Sequence, residues 1–126
     1  MSEAASPVPR VPAATLQAFI QRACARVGIP DHDAGIIAEL MTRADVNGSD
    51  GHGIFRLPQY IRRIKGGAVN VRPQVRIVSE APAMAVVDGD NGMGQVVSKR
   101  AMEDCISRAK THNLAIGSSQ TDLLQL

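Results

Sequence analysis

The chain contains no tryptophan, one tyrosine (Tyr60) and two phenylalanines (Phe19 and Phe55) in 126 residues. Its core must therefore come from Val, Ile, Leu, Met and Ala, and a surface that binds nucleic acid by stacking rings on bases has almost no rings to offer. A dominant charge sign is also missing. Lys and Arg number 14 and Asp and Glu 12, for a net charge of +2. The densest basic run, Arg62-Arg63-Ile64-Lys65, is too short for an electrostatic footprint and reads as a solvated helix face. No nucleic-acid partner is expected. Cysteine is scarce too: Cys24 and Cys105 lie far apart, which excludes a disulfide framework or a zinc spacing and suits two small hydrophobes in a reducing compartment. No apolar run reaches membrane-spanning length, and the amino end lacks the basic start and apolar stretch of a secretory signal. A soluble, cytoplasmic protein without a membrane partner is the expectation. The three histidines, His32, His52 and His112, show no ligand spacing, so no metal site is expected.

What is present is an ordinary globular balance, 44% hydrophobic and 21% charged, in a length that suits one domain or part of a larger protein. Residues 1–11, rich in Ser, Ala and Pro, read as a flexible leader. From 12 to 72 the pattern is helical. Leu16, Phe19, Ile20, Ala23, Cys24 and Val27 predict a helix over 13–27, ended by Gly28. Asp31 follows as an N-cap, and Ile36, Ile37, Leu40, Met41 and Ala44 carry a second helix to Gly48. A third, shorter helix holds Leu57, Tyr60, Ile61 and Ile64, with Pro58 in its first turn and Gly66-Gly67 at its end. After Pro73 the grammar changes to strands near 76–79 and 83–87, a helix from Val96 to Lys110 burying Val96, Val97, Ala101, Cys105, Ile106 and Ala109, and a returning strand near 114–117. Residues 118–126 continue neither pattern, so the sheet begun at 73–117 is expected to lack partners and the chain reads as cut off.

Two stretches carry candidate chemistry. Gly89, Gly92 and Gly94 follow a strand and open a helix, the place of a dinucleotide fingerprint, but they give G-x-x-G-x-G, the reverse of the order that fingerprint needs. A tight strand-to-helix connection is the better reading. The other stretch is "GSDGHGIFRLPQY", Gly48 to Tyr60. If it turns helically, His52, Arg56 and Tyr60 fall at successive i, i+4 positions and share one wall. Glycines at 51 and 53 clear space beside the imidazole, Arg56 offers a planar fork for a carboxylate, and His52 exchanges a proton near neutral pH. That set fits a 2-oxo or 2-hydroxy acid, clamped by its carboxylate while its oxygen gains or loses a proton. A plain turn with Arg56 on the surface remains open on spacing alone.

The segments "ADVNGSDGHGIFRLPQYIRRIKGGAVN" and "AVVDGDNGMGQVVSKRAMEDCISRAK", in register, resemble the malate/L-lactate dehydrogenase family, which also contains ureidoglycolate, sulfolactate and diketogulonate enzymes and piperideine-carboxylate reductases. The likeness runs from about residue 12 to 117. It implies an α+β fold that is not a Rossmann fold: a helical amino-terminal segment, then the start of a mixed sheet with a covering helix. It implies an NAD- or NADP-dependent oxidoreductase of small 2-oxo or 2-hydroxy acids, usually an intertwined homodimer. His52 matches the family's histidine of a charge-relay arrangement, and Arg56 matches the arginine that holds the substrate carboxylate; Tyr60 is a substrate-binding candidate from its place on the shared wall. Gly51 stands where the family has a relay serine, and the histidine proton donor expected after "LAIGSS" is replaced by "QTDLLQL". The resemblance thus predicts a truncated chain that is inactive and binds no cofactor alone. The alternative is a non-catalytic remnant that acts as an interaction or mixed-dimer module.

Overall fold

The computed structural model describes residues 8–120. The first seven residues of the expected leader and residues 121–126 of the expected tail lie outside them. Four helices and three strands follow in order: α1 (Ala13–Arg26), α2 (Asp31–Val46), two 3-10 turns (Asp50–His52 and Ile54–Arg56), α3 (Leu57–Lys65), β1 (Arg76–Ala81), β2 (Met84–Asp88), α4 (Gly94–His112) and β3 (Ile116–Gln120). The chain is α+β with a mixed sheet: β1 pairs antiparallel with β2, and β3 returns parallel to β2 after the α4 crossover.

Glycine in the left-handed region ends the first two helices and follows the third, at Gly28 (φ 96°), Gly48 (φ 76°) and Gly67 (φ 75°), because only a residue without Cβ turns there at no steric cost. The start of α2 differs from expectation. Pro30 is the N-cap, and its carbonyl accepts the Ala34 N–H at 2.8 Å; Asp31 is already helical, where its charge favours the positive end of the helix dipole beside Asp33. Ile20 and Cys24 of α1 pack against Ala34, Ile37, Ala38 and Met41 of α2, all buried. Phe19, placed by its periodicity in the buried stripe, is 51% exposed. α1 meets its partner helix along a narrow seam, and Phe19 falls on the rim.

In the sheet only β2 is covered: Ala85 and Val87 lie under Val96, Val97 and Ala101 of α4, while β1 and β3 are exposed along their length. Ile106, expected beneath α4, is 50% exposed, because that end of the helix overhangs a sheet of three strands. The returning strand begins at Ile116, two residues later than the apolar run suggested, since pairing of Ile116 with Met84 and Gln120 with Asp88 sets its register. Gly117 passes directly under Cys105, whose Sγ occupies the space a Cβ would need.

Two sets of contacts clip the helical segment to the sheet. Asp33 pairs with Arg100 at 3.2 Å. At the β2–α4 turn, Asp90 and Asn91 take left-handed φ values of 48° and 52°, which short polar side chains tolerate. The Asp90 carboxylate accepts the Asn70 side-chain amide and the Gln74 N–H, both at 2.9 Å, and the Asn91 amide donates to the Ala68 carbonyl at 3.0 Å.

Burial pushes the Cys24 thiol up from 9.0 to about 11. Its folded pKa is thus raised above the unfolded one, so the associated stability is intact below pH 9.0 and is lost as pH rises through about 11. The urea midpoint should fall more steeply over that range in the native chain than in Cys24→Ala; parallel declines would show that the thiol is solvated in the fold.

Candidate active site

The site begins where α2 ends. After Gly48 the chain folds back, with Ser49 N–H donating to the Ala44 carbonyl at 2.8 Å, and the first 3-10 turn forms with His52 N–H bonded to the Ser49 carbonyl at 2.9 Å. Gly53 then interrupts it. The carboxylate of Asp45 occupies the place where a Cβ of residue 53 would stand, and its Oδ2 accepts the Ile54 N–H at 2.8 Å. Only glycine lets that carboxylate reach the backbone, and the bond starts the second turn.

This break puts two 3-10 turns where a continuous helical turn over 52–60 would have stacked His52, Arg56 and Tyr60. His52 and Tyr60 line one cavity of about 580 Å³, while Arg56 borders a separate concavity with Phe55 and Arg62. The Arg56 Nε donates to the Gly51 carbonyl at 2.8 Å and Nη1 to the Gln59 side chain at 3.0 Å. One edge of its guanidinium is thereby fixed, and Nη2 has no protein acceptor among the described residues. His52 is exposed, with its ring at the cavity mouth. Gly51 has nothing within 4 Å of a Cβ position and no left-handed φ, so a serine fits there without strain.

The cavity lies between α2, α3 and the first turn of α4. Leu40, Met41 and Val97 line it together with the polar side chains of His52, Tyr60, Asn91, Gln95 and Ser98. Its volume falls in the range of small-molecule sites, and its lining is polar and apolar in about equal parts, with Ser119 and Gln120 of β3 completing it. Sequence reasoning missed Arg63, which borders this cavity although its basic run reads as surface. The available signal was its position three residues after Tyr60 on one helix, hence on nearly the same face. Asp45 gave no signal, since its role depends on a contact across a reversing chain.

A dinucleotide cradle is not built here. A Cβ at Gly89 would lie 2.8 Å from Val97 Cγ1, and one at Gly92 would lie 2.6 Å from Pro73 Cγ. Gly89 and Gly92 are closed by protein and serve a tight connection, whereas Gly94 at the start of α4 has open space beside it. Among the described residues no group of three or more His, Cys, Asp or Glu could hold a metal ion, and no helix is long and apolar enough to cross a membrane.

Among the described residues, helices clipped to strands of a mixed sheet, with a histidine-bearing cavity at the joint, make an α+β unit. Residues 11–121 match the malate/L-lactate dehydrogenase family, and the chain belongs to that family. It is 41% identical over 107 residues to the malate dehydrogenase of Pyrococcus horikoshii, covering 85% of this chain and 30% of that protein. The solved structure of that enzyme superposes with a TM-score of 0.85 at 40% identity, over 88% of this chain and 32% of that one. The L-sulfolactate dehydrogenase of Methanocaldococcus jannaschii is 49% identical over 92 residues, 73% of this chain and 26% of its own length. The ureidoglycolate dehydrogenase (NAD(+)) of Escherichia coli K12 is 32% identical over 102 residues, 81% of this chain and 29% of that protein. The chain thus spans 30% or less of the length of these curated relatives.

The Asp45–Gly53 contact yields a direct expectation. Gly53→Ala should destabilise the chain by about 1–3 kcal/mol, as overpacking does, and should shift the His52 ring signals in NMR spectra. Gly51→Ala, with open space around it, should do neither; equal effects at the two glycines would remove the carboxylate from its assigned role.

Proposed function

We propose that this chain supplies the substrate-side wall of an NAD- or NADP-dependent oxidoreductase of 2-hydroxy and 2-oxo acids. The observation that carries the reading is the cavity lined by His52, Tyr60, Asn91, Gln95 and Ser98, inside the stretch that matches the family. In the oxidation direction, a neutral His52 imidazole takes the proton of the 2-hydroxyl; in reduction, the imidazolium returns it to the carbonyl oxygen. Tyr60 adds a hydroxyl that can donate to or accept from the same oxygen. Arg56 holds the carboxylate. To do so it exchanges the Gly51 carbonyl and the Gln59 side chain for two charged acceptors, which replaces neutral hydrogen bonds by stronger charge-assisted ones.

The reading implies NAD or NADP as the redox partner, a homodimer and a cytoplasmic location. Because the chain spans 30% or less of the length of these relatives, the 126 residues are expected to give no turnover alone: catalysis requires substrate clamp, proton carrier and redox partner together. The test is a chimera in which this chain precedes the remaining sequence of the P. horikoshii malate dehydrogenase. His52→Ala should lower kcat by about a hundredfold or more, the scale of lost general acid–base catalysis. Arg56→Ala should raise KM as well. Unchanged constants in both variants would reduce the motif to a structural turn.

A second reading, a non-catalytic module that docks on a full-length relative, is favoured by the apolar side chains left open on the sheet: Ile77, Val78, Met84 and Ile116. On that reading the chain self-associates in light scattering, and Val78→Lys with Ile116→Lys reduces the association. A monodisperse native chain would count against it.

A further inference from the structure

We propose that the Asn47–Gly48 peptide is a site of covalent modification: the Asn47 side-chain amide is lost through attack by the Gly48 backbone nitrogen, and the product loosens the turn that places His52. The inference is independent of the reaction carried out at the cavity. Asn-Gly occurs at 47–48 and again at 91–92, and the structure treats the two differently. Glycine favours the attack because it has no side chain to hinder the approach of its nitrogen to the preceding Cγ. Asn47, the C-cap of α2, is exposed, and among the described residues its side chain makes no hydrogen bond. Gly48 has nothing within 4 Å of a Cβ position. Its N–H donates to the Asp45 carbonyl at 3.1 Å, a bond of the last helical turn, which frays before the body of the helix opens. Asn91 is instead fixed by its surroundings. Its amide donates to the Ala68 carbonyl at 3.0 Å, its own carbonyl accepts the Asn70 N–H at 2.9 Å, and the Gly92 N–H donates to the Gly89 carbonyl at 2.9 Å. Pro73 closes the space beside Gly92, so this turn has little room to rotate.

The reaction needs only water. The Gly48 nitrogen, once deprotonated, forms a C–N bond to Asn47 Cγ; the Cγ–Nδ2 bond breaks, and ammonia leaves with the proton that the Gly48 N–H gave up. Water then opens the cyclic imide at either carbonyl. Opening at Cγ leaves an aspartate, and opening at the backbone carbonyl leaves an isoaspartate, whose main chain runs through Cβ and Cγ and is longer by a methylene. Either product puts a carboxylate at the negative end of the α2 dipole, close in sequence to Asp45 and Asp50. The isoaspartate also moves the chain. Gly48 and Ser49 are tied back to α2, the latter by its N–H on the Ala44 carbonyl at 2.8 Å, and the His52 N–H is bonded to the Ser49 carbonyl at 2.9 Å. A methylene inserted between 47 and 48 carries these donors off their acceptors, and the His52 turn loses its anchor on the helix.

The experiment ages the full chain at mildly alkaline pH, where more of the attacking nitrogen is deprotonated, and follows it by tryptic mass mapping and by NMR of the His52 ring. Cleavage after Arg43 and Arg56 releases the peptide 44–56, whose one side-chain amide is that of Asn47; cleavage after Arg76 and Lys99 releases 77–99, which carries Asn91. In the native chain the amide-to-acid mass change should appear at Asn47 at least about tenfold faster than at Asn91, which must break several hydrogen bonds to react. In urea the two rates should converge. The His52 signals should shift in step with conversion of 44–56, and Asn47→Ser should abolish both changes. Asn47→Asp, which adds the carboxylate without the methylene, should shift the signals less than ageing does. Equal native rates at the two sites, or faster loss at Asn91, overturn the assignment of the site. His52 signals that stay fixed while 44–56 converts, or that still drift in Asn47→Ser, overturn the effect on the turn. A shift in Asn47→Asp as large as that of the aged chain overturns the role of the lengthened backbone.

Discussion

Burial of one face of α2 fixes the position of everything else in the molecule. Ala34, Ile37 and Ala38 expose none of their surface and Met41 only 1%. The two alanines are small enough for α1 to lie close, and Ile37 and Met41 fill the space between α1 and the elements beyond. With its middle held in this way, each end of α2 carries a carboxylate to a fixed address. Asp33 in the first turn reaches Arg100 on α4, and Asp45 near the last turn reaches the Ile54 N–H. The first contact orients the covering helix of the sheet. The second decides how the chain turns between α2 and α3, and so which side chains share a cavity.

Much of this architecture is legible in the sequence because helices announce their ends. Gly28, Gly48 and Gly67 take the left-handed φ that their positions after apolar periodic runs imply. The strand, helix and returning strand after Pro73 are equally readable. Periodicity gives the direction of an apolar stripe but not the width of the surface that will cover it, and this is why Phe19 and Ile106 are exposed. Strand position is set by the partner: β3 is placed by its ladder with β2, and nothing local to Leu114 or Ile116 specifies the offset. Asp31 as a cap failed for a different reason. A proline before it already has the cap's φ and presents the first acceptor carbonyl.

The site was legible only in part. The i, i+4 rule applies to unbroken α-helix, and a carboxylate bonded at Gly53 replaces that helix by two short turns with different phase. His52 and Tyr60 still converge, but Arg56 is turned aside and holds the Gly51 carbonyl. Arg63 borders the cavity from within a run that composition assigns to solvent. The information that would distinguish Arg63 from Arg62 is the orientation of α3 against α2, which depends on long-range packing of Leu57 and Ile64 in the core.

The two walls of the cavity are held by acids that do not enter it. Asp45 turns its charge toward the Ile54 N–H beneath the His52 turn. Asp90, on the opposite side, turns its charge toward Asn70 and Gln74. Asp88 accepts the Asp90 N–H at 2.9 Å, and that bond, with the Arg76 guanidinium nearby, holds its carboxyl below the usual carboxylate range. The hydrogen bonds of each of these carboxylates keep it directed at the protein. Placed instead in the lining, any one of them would repel a substrate carboxylate and neutralise the arginine there. The same bonds that shape the cavity thus leave Arg63 as the permanently charged side chain of its lining, among neutral polar groups.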